Sequence, residues 1–252
     1  MTILEKIIQA KERRIGIQKI SNSFTDHYIN NDSNVAGPKF FDTLIKSKNE
    51  YKIIAEMKKA SPSAGLIVED YKPELIAQEY QRKGYTNLSI LTEEDHFHGL
   101  LSHITKVKKI SQLPVLQKDF IVDEWQIYQA KTIGADCILL IAEVLTKEEI
   151  DSFIHTANTL QLDVLLEFHA ETEIPKITDT NLNYIGINNR NLHTLETDVN
   201  HALRIRDKYH KELNNFSIIA ESGFKTKIEL DTYKSNQIDL FLIGESLLKE
   251  KL

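Results

Sequence analysis

Apolar positions in this chain follow two periods in turn. Ile3, Leu4, Ile7 and Ile8 recur at helical spacing, which predicts an amphipathic helix over residues 3–14. Residues 22–37 are polar and irregular, and Phe40, Phe41, Leu44 and Ile45 predict a second short helix after Pro38. From residue 51 the pattern changes. Short apolar runs with no polar face predict strands covered on both sides, as in a parallel sheet, over 51–57, 87–91, 114–118, 137–141, 164–167, 184–188, 217–221 and 240–243. Segments with one charged face predict helices between them, over 73–83, 100–110, 123–133, 146–160, 171–178, 197–213 and 226–235, and Leu247 and Leu248 begin a last one. Gly84 and Gly134 stand at helix–strand joints, where a helix commonly ends. Strands that alternate with helices in this number predict an α/β fold. The expected architecture is a single (β/α)8 barrel domain over residues 1–252, with residues 1–50 as an N-terminal helical extension. An open doubly wound sheet would want a glycine-rich dinucleotide loop after its first strand, and none is present.

Composition narrows the function rather than the fold. The formal net charge of -6 gives the whole chain no electrostatic bias toward nucleic acid or an anionic membrane. Any anionic ligand must be drawn by local positive groups. The one cysteine, Cys137, lies in an apolar run, so neither an intrachain disulfide nor a Cys-rich zinc site is expected. Residues 1–14 mix apolar and charged positions and lack the apolar core of a signal peptide. No stretch approaches transmembrane length, and a cytoplasmic protein is expected.

The ends of the strands carry the chemistry. In the first, Glu56 and Lys58 are two apart and share a face, and Ser61-Pro62-Ser63 and Gly65 follow in a loop. The second ends at Glu93, with Phe97 and Gly99 beyond it; the third ends Lys118-Asp119-Phe120; the fourth carries Leu139. The fifth ends at Glu167, the sixth at Asn188-Asn189-Arg190-Asn191-Leu192, the seventh at Glu221-Ser222-Gly223 and the eighth at Gly244-Glu245-Ser246. Ionisable side chains on apolar strands are costly unless paired or at a site. Lys58, Lys118 and Arg190 are expected to face Glu56, Glu167 and Glu221. A ring of salt bridges would account for the charges, but not for Asn188 or for the two glycine turns. Those turns bring bare backbone N–H groups to adjacent strands, a common phosphate site in barrels. His96 and His98 flank Phe97 and read as solvated loop histidines, not metal ligands.

Together these segments resemble one family. Ile54-Ala55-Glu56-Met57-Lys58-Lys59-Ala60-Ser61-Pro62-Ser63, Gln117-Lys118-Asp119-Phe120, Gly186-Ile187-Asn188-Asn189-Arg190-Asn191-Leu192 and Ala220-Glu221-Ser222-Gly223 look like the signature segments of indole-3-glycerol phosphate synthases. Ser89 to Glu93, Leu165-Leu166-Glu167 and Ile243 to Leu247 match as well. Ala64 departs from the pattern, since many members carry Lys there.

The resemblance implies a lyase of tryptophan biosynthesis that acts on a phosphorylated small molecule and needs no cofactor or metal; a monomer is expected, though the sequence itself does not give the oligomeric state. It implies Lys118 as general acid, with a pKa expected to be lowered by Lys58 and Arg190, and Glu167 as base. Lys58 is implied to hold the substrate carboxylate or to assist proton transfer, and Glu56 to orient the lysines. Asn188, Glu221 and Ser222 would bind the sugar, Arg190 an anionic group, and Pro62, Phe97, Phe120, Leu139 and Leu192 an aromatic ring. Ser61 and the backbone at Gly223, Gly244 and Glu245 would take a phosphate. A sister barrel such as phosphoribosylanthranilate isomerase would lack the Glu-Met-Lys-Lys-Ala-Ser-Pro-Ser segment. A barrel that only binds a partner would be expected to lose Lys118 or Glu167, and both are present.

Overall fold

The computed structural model describes residues 1–21, 39–250 and 252, so the polar stretch expected over 22–37 lies outside the described residues. Eight parallel strands close into a barrel: β1 (Lys52–Met57), β4 (Asn87–Leu91), β5 (Val115–Lys118), β6 (Cys137–Ile141), β7 (Asp163–Phe168), β8 (Tyr184–Asn188), β9 (Ser217–Glu221) and β10 (Leu240–Ile243). Each pairs with its neighbour in sequence, and β1 also pairs with β10, with Lys52 opposite Leu240 and Ala55 opposite Ile243. The two-residue strands β2 (Ala60–Ser61) and β3 (Gly65–Leu66) form an antiparallel hairpin in the loop after β1. The sequence reading did not contain that hairpin.

Strand alternation sorts the core into two clusters. Outward residues such as Met57, Leu88, Ile138, Leu166 and Phe241 pack beneath the surrounding helices. Inward residues such as Ile54, Leu116, Cys137, Leu165 and Ile219 fill the barrel. Cys137 is fully buried, and burial pushes its thiol well above the ordinary range, as suits a structural residue.

The extension supplies a helix to each end of the barrel. Helix α1 (Ile3–Ser21) runs a further two turns past the expected end at residue 14. Its Leu4 and Ile7 join the inner cluster beside Phe120 and Leu139. Helix α2 (Phe40–Lys46) packs where the strands begin. The Asn87 side chain donates to the Phe40 carbonyl at 2.8 Å, and the Phe41 N–H donates to Asp163 at 3.2 Å. The Phe41 ring stacks on Tyr184 at 4.2 Å.

β1 ends at Met57, as expected, and Lys58 stands just past it. Two helical segments differ from expectation. The segment 171–178 opens as a 3-10 turn, Glu171–Glu173, before a short α-helix. The segment 197–213 begins its helix only at His201 and breaks after Lys208, because residues 190–197 fold back on themselves through an Arg190–Thr197 bridge. Among the described residues, no helix is long and apolar enough to cross a membrane.

Candidate active site

A cavity of about 610 Å³ opens at the C-terminal end of the barrel. Its floor follows from strand alternation. Ile54, Leu116, Leu165 and Ile219 point inward, and two residues further on the same faces carry Glu56, Lys118, Glu167 and Glu221. The barrel interior thus changes from apolar to ionisable within one step along four strands.

Lys118 sits at the centre. Its ammonium is ion-paired to Glu167 and lies 2.9 Å from Glu221. Lys58 Nζ lies 2.5 Å from Glu56 Oε1. The Asn188 amide donates to Glu167 at 3.3 Å, and its carbonyl oxygen accepts the Arg190 N–H at 3.0 Å. Among the described residues no carboxylate lies at ion-pair distance from Arg190; its guanidinium instead donates to the Leu195 carbonyl at 3.0 Å and braces its own loop. The expected face-off of three cations with three carboxylates therefore holds for Lys58 and Lys118 but not for Arg190.

The charge balance reverses one expectation. Burial alone would push the Lys118 ammonium down, but Glu167, then Glu221 and Glu56, outweigh it, and its pKa is raised rather than lowered. Two carboxylates in contact decide the matter; Lys58 is engaged by Glu56. Burial, and then the adjacent Glu167, push Glu221 well above the usual carboxylate range. Burial would also raise Glu56, but Lys58 and Lys118 outweigh it and its pKa is lowered.

One wall is apolar. Pro62, Phe97, Phe120, Leu139 and Leu192 all line the cavity, as expected, joined by Ile3, Leu4 and Ile7 of α1 and by Ile141. Phe97 is held by a buried carboxylate. Glu93 accepts from the backbone N–H groups of Asp95, His96 and Phe97 at 3.1, 2.8 and 3.0 Å, and its other partner is the His96 ring at 3.3 Å. The Phe97 carbonyl accepts the Ala60 N–H at 3.2 Å, which joins this loop to the hairpin. Ser61 lines the cavity, but its hydroxyl already accepts the Ala64 N–H at 3.1 Å and so shapes the hairpin turn.

The opposite wall holds Ser222, Gly223, Gly244 and Glu245. Ser222 and Gly223 both adopt positive φ, 67° and 91°, which turns the chain sharply after β9. Gly244 is bare for a reason the sequence did not show: a β-carbon there would stand 2.5 Å from Glu56 Oε1. The position makes room for Glu56. Lys225 and Lys249 also line this wall, and the sequence reading missed both. Lys249 pairs with Glu245 at 2.7 Å. Lys225 follows Gly223 by two residues, and that proximity was the signal available for it.

Every residue given a catalytic, substrate-binding or phosphate-binding role from the sequence lines this cavity. What sequence reasoning missed is the two lysines. Among the described residues, no group of three or more His, Cys, Asp or Glu side chains is placed to hold a metal ion.

Comparison with known proteins places this geometry. The family model described as Indole-3-glycerol phosphate synthase matches residues 4–251. The indole-3-glycerol phosphate synthase of Lachnoclostridium phytofermentans is 38% identical over 258 residues, covering 98% of this chain and 94% of that protein. The protein of the same name from Endomicrobium trichonymphae is 39% identical over 256 residues, covering 98% and 95%. Among solved structures, an N-acetylmannosamine-6-phosphate 2-epimerase from Clostridium perfringens aligns with a TM-score of 0.60 at 9% identity, over 86% of this chain and 93% of that one, a likeness of fold alone. With a family match that spans nearly the whole barrel and relatives of this identity and coverage, the chain belongs to the indole-3-glycerol phosphate synthase family.

Proposed function

We propose that this chain closes the pyrrole ring of 1-(2-carboxyphenylamino)-1-deoxyribulose 5-phosphate, releasing carbon dioxide and water to give indole-3-glycerol phosphate. The observation that carries the reading is Lys118, held between Glu167 and Glu221 on the cavity floor, with an apolar wall on one side and two glycine turns on the other.

The aryl ring lies against Phe97, Phe120, Leu139 and Leu192 beneath α1, beside Pro62. The phosphate lies toward the Gly223 and Gly244–Glu245 turns, near Ser61, where Lys225 adds positive charge. Lys58, steadied by Glu56, holds the substrate carboxylate. Arg190 contributes positive charge, and Asn188, Ser222 and Glu221 bind the sugar hydroxyls.

The ring carbon that bears the carboxylate attacks the ketose carbonyl carbon, and Lys118 donates a proton to the oxygen. A lysine with a raised pKa still performs this step. It enters fully protonated, and the alkoxide that would otherwise form is the stronger base of the two, so the proton moves to the oxygen. Carbon dioxide then leaves, and its bonding pair restores the aromatic ring. Loss of water follows: an acid protonates the departing hydroxyl, and Glu167 removes the ring proton. Asn188, bonded to Glu167, fixes the direction of that carboxylate.

Incubation of the protein with this substrate tests the reading. Indole fluorescence should rise, with product mass lower by one carbon dioxide and one water. A folded protein that leaves the substrate unchanged overturns it.

A further inference from the structure

Lys11 lies on the apolar face of α1, seven residues after Leu4 and four after Ile7, and is 5% exposed. Its ammonium reaches Asp119 Oδ1 at 2.7 Å and Glu94 Oε2 at 3.2 Å. Asp119 is 3% exposed and fully engaged. The same Oδ1 accepts the Phe120 N–H at 2.8 Å, and Oδ2 accepts the Thr92 hydroxyl at 2.5 Å. Thr92 in turn accepts the Gln117 amide at 3.1 Å and donates its backbone N–H to the Lys118 carbonyl at 3.1 Å. One buried carboxylate thus ties the first helix to the Phe120 N–H directly and, through Thr92, to the Lys118 carbonyl and the Gln117 side chain.

From this network we infer that Lys11 is a positioning residue for the reaction: by gripping Asp119 it sets the strand end that aims Lys118 and Phe120, and it does so only when α1 covers the mouth. The inference rests on the catalytic reading of Lys118 given above. Burial pushes the Lys11 ammonium down, but Asp119 and Glu94 more than offset this, so the cation persists in its buried place. Two other cations pin the same helix without touching this strand end. Arg14 pairs with Asp95 at 2.7 Å and reaches Glu94, which it shares with Lys11, at 3.6 Å but not Asp119, and Lys19 pairs with Asp123 at 2.8 Å. They separate docking of the helix from positioning of the acid.

The test compares Lys11→Met, Lys11→Arg, Asp119→Asn and Arg14→Met in the full chain. Lys11→Met should lower kcat by about tenfold to a hundredfold, with KM changed less, because a misplaced reacting group costs turnover. Lys11→Arg should recover most of that loss, since its cation still reaches the carboxylate. Asp119→Asn should match Lys11→Met, and the double variant should be no worse than either, as for residues acting through one contact. Arg14→Met should leave kcat near that of the parent. Hydrogen exchange over residues 115–124 supplies a readout that needs no turnover: exchange should quicken in Lys11→Met and Asp119→Asn but not in Arg14→Met.

A raised KM with unchanged kcat in Lys11→Met would make α1 a roof only and overturn the inference. So would an equal loss of kcat in Arg14→Met. If Lys11→Met does not fold, Asp119→Asn carries the same comparison. A parent chain without activity would refute the catalytic reading instead, and the exchange pattern would still decide whether Lys11 orders the strand end.

Discussion

Gly186 stands on β8 directly opposite Glu167 in register, one strand from Glu221. A β-carbon there would overlap Glu221 Oε1 and stand 3.0 Å from the Glu167 β-carbon. Only a bare position lets both carboxylates reach Lys118. Gly186→Ala should therefore lower turnover by on the order of 10²-fold while the barrel stays folded, because it displaces reacting groups by a fraction of a bond length or more. Steady-state kinetics beside a thermal unfolding curve checks this. Lys118→Ala should lower turnover by about two to four orders of magnitude, the usual range for a general acid, and near-parental turnover would refute its role. The ionisable residues were legible in the sequence because each breaks an apolar run at its end. The need for Gly186 was not, because it arises from side chains on β7 and β9 that only register brings beside it. The direction of the Lys118 shift was illegible for the same reason: which carboxylates touch it is set by packing across strands.

Both helices of the extension were legible from their apolar spacing; the spacing alone leaves open which end of the barrel each covers, and the family resemblance favours the mouth for the first. The structure uses both, α1 at the mouth and α2 at the base. Removal of residues 1–36 should leave α2 in place and a barrel that still unfolds cooperatively, while substrate affinity and turnover fall because Ile3, Leu4 and Ile7 no longer shield the apolar wall. A large drop in melting temperature with unchanged kinetics would instead make α1 a structural plug. The hairpin of β2 and β3 escaped notice because two residues per strand carry no period. Lys11 escaped although helical spacing puts it on the apolar face with Leu4 and Ile7, because its partners come from the acidic loops after β4 and β5, which only the fold brings beside it.

Across the whole molecule, the site sets how stability varies with pH. Glu221 has a raised pKa in the folded chain, so its contribution to stability is full below an unfolded carboxyl value of ~4.3 and is lost as pH climbs through the raised folded value. Glu56, with its lowered pKa, acts in the other direction, stabilising above ~4.3 and losing that contribution as acid drives pH down through its folded value. Lys118 enters only in strong base, above ~10.4, since its folded value is raised. Thermal unfolding of the parent should therefore weaken from mildly acidic to alkaline pH, and Glu221→Gln should flatten that slope while lowering turnover; an unchanged slope would remove Glu221 as its cause. The closed sheet has a further consequence, one of timing. β1 finds one of its two neighbours in β4 and the other in β10, the last strand to be synthesised. A growing chain on the ribosome holds its first strand half-paired until the final segment emerges. Ring closure therefore waits for β10, and a chain truncated before it exposes two open β-edges that chaperones must guard.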